Sequence, residues 1–385
     1  MEIAYAMKDI DRYEWDALAA RHGSPFLTWS FLALLEESAS ICPETGWTPC
    51  HFLLRRQGRL VAAAPFYAKT HSLGEFVFDF DFALLAEEAG AVYYPKLVGM
   101  VPATPVPQWR ILCAEGEEEA EMPMLEAAVR GARASGFGGV QLNWPAEGFS
   151  PPAGAGAGAG AFREWRHGAY LWTDEGYGDF SGYLEALTKN MRRNILRERR
   201  AVALAGIETR IIGAAEAAAD GRLQSLMADL YEATNDKFGP WGAKFLNRDF
   251  FLRLPEFLPD GWFYSAGYRG GRPVALALLF EDRESIYGRY WGTTEFADGL
   301  HFELCYYTPL EYALRTGKKR FDPGMGGEHK ARRGFRPRTV PSYHLSFDER
   351  MDRAFRLALP RANRQEEAYA AELGRELPFK TNFRS

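Results

Sequence analysis

One supersecondary unit is written twice in this chain of 385 residues. Gln57-Gly58-Arg59-Leu60-Val61-Ala62-Ala63-Ala64 is echoed by Gly270-Gly271-Arg272-Pro273-Val274-Ala275-Leu276-Ala277. An apolar run precedes each copy, His51 to Leu54 in the first and Trp262 to Ala266 in the second. Each therefore predicts a β-hairpin with glycine at its tip, because glycine supplies the positive φ that a tight turn demands. Helix-like residues Met124 to Ser135 then run into Gly136 and the strand-like Gly139-Val140-Gln141-Leu142. Likewise Phe302 to Thr316 run into Gly317 and Arg320-Phe321-Asp322. Hairpin, helix and final strand, repeated at domain-sized spacing, predict a duplicated α/β unit.

A chain of this length exceeds one ordinary core and suits two. Hydrophobic residues at 47% and charged residues at 25% are those of a globular protein. The net charge of −5 gives no general attraction for nucleic acid, so an anionic partner would need a local basic patch. No basic N-terminal region leads into a long apolar run, and no window of about 18 apolar residues occurs. A cytoplasmic protein without an integral membrane segment is expected. Cys42, Cys50, Cys113 and Cys305 form no C-x-x-C pair and stand at no metal spacing, which implies neither a disulfide frame nor a metal.

The Gly/Ala alternation from Pro151 to Ala161 has no side chain large enough to build a core and reads as a linker. The first half would then be 1–150, the linker 151–164, the second half 165–350 and a helical tail 351–385, broken at Pro360. The two halves are unequal. Copy one carries an insertion at about 69–107, with Phe76 to Phe82 and Tyr93-Tyr94-Pro95-Lys96 inside it. An insertion this long predicts a lid or binding loop, or an extra element covering a sheet edge.

Three constellations could carry chemistry. In the first, Leu184, Leu187, Met191, Ile195 and Val202 form one apolar stripe at helical spacing. Lys189, Arg192, Arg193, Arg197 and Arg200 lie opposite, Asp179 or Ser181 would cap the start, and Gly206 would stop the helix. Six Lys/Arg among residues 189–200, against one Glu, suit phosphates of a nucleotide, a coenzyme or an RNA acceptor end. A solvated helix face would read the same way. The second runs from Gly288-Arg289-Tyr290-Trp291-Gly292, closing a strand, to a helix with Asp298 as N-cap. That helix would leave N–H groups near Gly299 facing an anion and place His301 and Glu303 in its first turn. The third is Phe321-Asp322-Pro323-Gly324-Met325-Gly326-Gly327-Glu328-His329-Lys330, a Gly/Pro-stiffened loop loaded with acid, imidazole and amine, as acid–base chemistry needs. P-loop, dinucleotide and G-x-S-x-G motifs are absent.

These stretches carry a resemblance. The duplicated hairpin–strand–helix–strand unit resembles tandem acetyltransferase-like (GNAT-type) proteins. Phe76 to Phe82, Tyr93 to Leu97, Val101 to Val106, Lys189 to Arg200, Gly288 to Gly292, Leu300 to Tyr307, Phe321 to Gly324 and Gly327 to Lys330 resemble the FemAB-like family of N-acyltransferases, linked to peptidoglycan biosynthesis or recognition. The resemblance implies an α/β (α+β) fold of two acyl-CoA N-acyltransferase-like domains, each a mixed, mostly antiparallel sheet flanked by helices. It implies transfer of an acyl or aminoacyl group from an acyl-CoA or an aminoacyl-tRNA to an amine of a small-molecule or peptide acceptor, with no tightly bound cofactor. The acceptor would sit against the insertion, near Asp79, Asp81, Tyr94 and Lys96. Aminoacyl-tRNA would meet the basic helix 189–200 through Arg192 and Arg193.

In the second half Glu303, His301 or His329 would take the amine proton and Tyr290 would protonate the leaving group. Arg289, Lys330, Asp322 and Glu328 would hold substrate, with Arg289 or Lys330 on phosphate or carboxylate. Neither copy has the Gly-rich loop that grips the coenzyme A pyrophosphate. Copy one has Pro102, Pro105 and Pro107 there, each without an N–H. A non-catalytic module of the same fold, recognising a cell-wall fragment or peptide, is the rival reading.

Overall fold

The computed structural model describes residues 1–237, 239, 242 and 244–380 and forms two compact units. The first comprises Met1–His167 and Thr339–Ala368. The second comprises Gly168–Arg338 and the chain from Tyr369. The strands Arg163–Thr173 and Arg336–Ser346 each begin in one unit and end in the other.

In the first unit the predicted hairpin forms from His51–Arg56 and Arg59–Ala64, with Gln57 and Gly58 both at positive φ in the turn. Phe66–Lys69 continues the second arm and pairs with Trp47–Pro49 on one side and Lys96–Gly99 on the other. Lys96–Gly99 lies parallel to Gly139–Leu142, which pairs antiparallel with Tyr343–Ser346. The helix Glu121–Ala134 buries Met124, Leu125, Ala128, Val129 and Ala132 against this layer, the 3.6-residue stripe its sequence prescribes.

The second unit repeats the order. Its hairpin Trp262–Arg269/Arg272–Glu281 turns at Gly270 and Gly271, both at positive φ. Ser285–Thr293 follows, then a helix running Leu300–Phe302, Glu303–Tyr307 and Thr308–Thr316, and the strand Arg320–Asp322. The middle turn of that helix is π-helical, a widening that often marks a functional position. The sheet order is Glu208–Gly213, the two hairpin arms, Ser285–Thr293, Arg320–Asp322 and Arg163–Thr173. This is the tandem acetyltransferase-like fold.

Several expectations need correction. Residues 339–368 return to the first unit, since Tyr343–Ser346 completes its sheet and Met351, Phe355 and Leu359 are buried. That burial carries the helix Glu349–Arg375 through Pro360, which removes one donor without breaking it. The Gly/Ala stretch is not a bare linker: Ala155 is buried in the first core, with Ala157 and Ala159 packed against it. The basic helix is Lys189–Leu204, capped by Thr188, while Asp179 caps the short helix Phe180–Ala186 before it. Asp298 is not the N-cap: that position is Gly299, with no side-chain cap. A Cβ on Gly299 would lie 3.1 Å from the Glu198 carbonyl oxygen, so the helix of Glu198 packs closely against this start.

Candidate active site

The strand Ser285–Thr293 is the foundation of the site. Leu278 pairs with Tyr290 and Leu279 with Gly288, leaving Arg289 as an extra residue, a β-bulge that re-aims the side chains around it. On this side its parallel partner Arg320–Asp322 pairs along Ser285–Tyr287. Beyond Tyr287 and Asp322 their ladder ends: one strand continues to Thr293, and the other gives way to the loop at Pro323. Gly292 permits close packing of the helix Gly221–Asp236, since a Cβ there would sit 2.6 Å from the Leu230 carbonyl oxygen.

Where the strands separate, a pocket of about 670 Å³ opens, a volume suited to a small ligand. Ala277, Leu279, Tyr290, Trp291, Cys305, Tyr306 and Met325 give it an apolar wall, and Arg289, His301, His329 and Lys330 line it too. His301 lies against Trp291, with ring centroids 4.5 Å apart, and 5.8 Å from the His329 ring. The Tyr306 hydroxyl, presented by the π-helical turn, is 3.0 Å from His329 Nε2. Burial, reinforced by nearby cations, lowers both imidazoles to a pKa of about 4, so both are neutral at physiological pH.

The loop Pro323–Gly327 is clamped at both ends. The Asp322 carboxylate accepts from Gly324 N–H at 2.8 Å, and Lys330 Nζ donates to the Gly324 and Met325 carbonyls, each at 2.8 Å. Burial raises the Asp322 pKa and lowers that of Lys330 to about 8. Burial likewise keeps Tyr290 a neutral phenol, with its ring edge-on to Tyr231.

The structure thus brings together Tyr290, Arg289, His301, His329 and Lys330, with Asp322 behind the loop. It does not bring Glu303. Two helical positions from His301 is a rotation of about 200°, which points Glu303 to the opposite face. There its carboxylate accepts from Arg199 Nε at 3.1–3.2 Å and from Thr308 Oγ1 at 2.9 Å. It borders a separate cavity of about 570 Å³ with Arg199, Gly206 and Thr209. Glu328 is exposed and accepts from the Tyr369 hydroxyl. Arg192 and Arg193 stand on the outer helix, away from this pocket, Arg193 bonded to Asn190.

The four residues expected at the insertion divide. Asp81 is exposed on the helix Phe80–Glu88. Asp79 and Lys96 are each 1% exposed and bound to one another, not open to a ligand. Lys96 Nζ meets Asp79 Oδ2 at 2.6 Å, Glu75 Oε2 at 2.8 Å and Ser72 Oγ at 2.9 Å, and Tyr94 bonds the same serine. Glu75, Gln141, His167 and His344 join this buried polar core, and no motif in the sequence marks them.

The first unit also has no open fork. Past the paired Gly99 and Leu142 the chain re-enters at Trp109, whose N–H donates to Trp144 O at 3.0 Å and whose C=O accepts from Ala146 N–H at 2.8 Å. Its indole fills the space beside Gly99, where a Cβ would lie 2.4 Å from the ring.

A family model described as peptidoglycan biosynthesis/recognition matches residues 6–381. No curated protein sequence matches significantly. Among solved structures, the C-terminal domain of an Agrobacterium fabrum protein assigned as a lysylphosphatidylglycerol synthetase is similar at 12% identity and a TM-score of 0.53, covering 92% of this chain and 96% of that one. FemX (12% identity, TM-score 0.48) covers 85% of this chain and 89% of its own. A tandem GNAT protein from the clavulanic acid biosynthesis pathway (13%, TM-score 0.43) covers 90% and 99%. The first of these likenesses is one of fold. Among the described residues no helix is long and apolar enough to cross a membrane.

Proposed function

The chain belongs to the FemAB-like family, and on that premise we propose that it is an N-acyltransferase whose acyl donor occupies the fork of the second unit. The observation that carries this reading is the fork: a bulged strand parts from its neighbour over a pocket holding two neutral imidazoles. Main-chain N–H groups released from pairing at a bulge suit the carbonyl oxygen of an activated acyl group. A primary amine would attack the carbonyl carbon with its lone pair. The C–N bond forms, the bond to the donor's sulfur or oxygen breaks, and the ammonium proton of the tetrahedral adduct passes to His329 or His301. That proton is far more acidic than one on a free amine, so an imidazole of low pKa can still take it. The departing thiolate or alkoxide takes a proton from the Tyr290 phenol, which the imidazolium of the same pocket then reprotonates. The donor is an acyl-CoA or an aminoacyl-tRNA, the latter drawing on Arg192 and Arg193, and the acceptor is an amine of a small molecule or a peptide such as a cell-wall precursor.

The test is turnover with a panel of acyl donors for the wild type, His329→Asn and His301→Asn. The base typically contributes about 10²–10⁴-fold, so one variant should lose that much in kcat. Once the rate is corrected for the fraction of acceptor amine that is unprotonated, the wild type should lose activity only as pH drops towards 4, where the imidazoles protonate. Full turnover in both variants would overturn the assignment.

The lack, in both halves, of a Gly-rich loop to grip a donor pyrophosphate favours the second reading, a recognition module. Thermal shifts separate the two. A transferase is stabilised by donor and acceptor alike, a recognition module by acceptor-like ligands alone.

A further inference from the structure

The charge of the fork pocket limits what can enter it. Among the described residues lining it, the two full charges are both positive, Arg289 and Lys330, and no carboxylate faces it. The two imidazoles add none at neutral pH. Asp322, just before the lining residue Pro323, is committed to Gly324 N–H, with Arg338 4.0 Å away. Lys330 spends two of its three donors on the Gly324 and Met325 carbonyls, which fixes the ammonium at the pocket wall. Burial works against that charge, Asp322 supports it, and Arg289 opposes it again. Two cations among its lining favour an incoming anion over an incoming cation. Leu279, Tyr290, Trp291 and Cys305 leave room for an apolar body beside them.

We infer that this pocket takes a ligand combining an apolar body with a carboxylate or phosphate, met by Arg289 and Lys330, and turns away one bearing an ammonium group. The inference rests on the transferase reading for its place in a reaction. There the anion is either a carboxylate at the end of the acyl group or a phosphate of the donor's carrier. An acyl group ending in an amine, such as lysyl, is excluded.

Equilibrium binding at low ionic strength, followed by NMR, tests this with four probes of matched length: pentanoate, butyl phosphate, pentanol and pentylammonium. At least one of pentanoate and butyl phosphate should bind ten-fold or more tighter than pentanol, and pentylammonium should bind weakest. Tighter pentanoate assigns the anion to the acyl end; tighter butyl phosphate assigns it to the carrier. Arg289→Met should reduce the anion advantage several-fold while pentanol binding persists, which also shows that the pocket survives. Should pentanol binding be lost in that variant, the charge series on the wild type decides alone. Pentylammonium binding as tightly as the anions, or an anion preference unchanged in an intact Arg289→Met, would overturn the inference. The two proposals fail separately. Transfer of neutral acyl groups without anion preference sinks this one, and anion selectivity without turnover sinks the transferase.

Discussion

Replacing Lys96 by Met should destabilise the first unit more than almost any other single change. Lys96 is 1% exposed and is the shared cation of two carboxylates, Asp79 at 2.6 Å and Glu75 at 2.8 Å, themselves 1% and 0% exposed. Met preserves the volume, so the loss is electrostatic rather than a cavity. Removing one partner of a buried ion pair typically costs about 3–5 kcal/mol, because the remaining charge is left uncompensated. In a unit of about 200 residues each kcal/mol moves Tm by about 2–4 °C, so a drop of roughly 10 °C is expected.

The pH dependence gives the claim a second edge. In the wild type burial alone would raise the Asp79 pKa, but Lys96, Gln141 and Ser72 together hold it well below the ordinary range. Asp79 therefore contributes stability above the usual carboxylate range, and that stability disappears as pH falls through its folded value. Glu75 runs the other way: burial lifts it to about 7 despite Lys96, so its contribution is full at low pH and lost as pH rises through 7. Without Lys96 both carboxyls shift upward, and the variant recovers as they protonate. The Tm deficit should be largest near pH 8 and narrow towards pH 5, measured by calorimetry or circular dichroism. A deficit under 2 °C, or one independent of pH, would refute the reasoning.

Glu303→Gln should leave kcat near the wild-type value yet cost about 1–3 kcal/mol in unfolding experiments, since it weakens charged hydrogen bonds to Arg199 outside the fork pocket. A hundred-fold fall in kcat with unchanged stability would restore Glu303 as a base. Gly327→Ala places a Cβ 2.4 Å from His329 Cε1 at φ +81°, so turnover should fall sharply along with about 1–2 kcal/mol of backbone strain. Gly326→Ala, at φ +69° with nothing within 4 Å, bears the same strain without touching the imidazole and should keep its kcat; equal losses in both would deny His329 its role.

The two hairpins were legible from sequence because a Gly-tipped turn between apolar runs is a local matter, decided by φ at Gly58, Gly270 and Gly271. The helix faces were legible for the same reason, and helical geometry alone already separates His301 from Glu303 by half a turn. What lay beyond the sequence were encounters between distant residues: His329 meeting Tyr306 across the fork, Trp109 closing the gap beside Gly99, and Lys96 drawing Glu75, Asp79 and Gln141 around one charge. The return of Tyr343–Ser346 to the first sheet belongs with these. Backbone preference acts over a few residues, whereas burial and ion pairing are settled only when remote segments pack. The chain's own order therefore prescribes two similar halves, and packing alone leaves an open pocket in the second and a filled gap in the first.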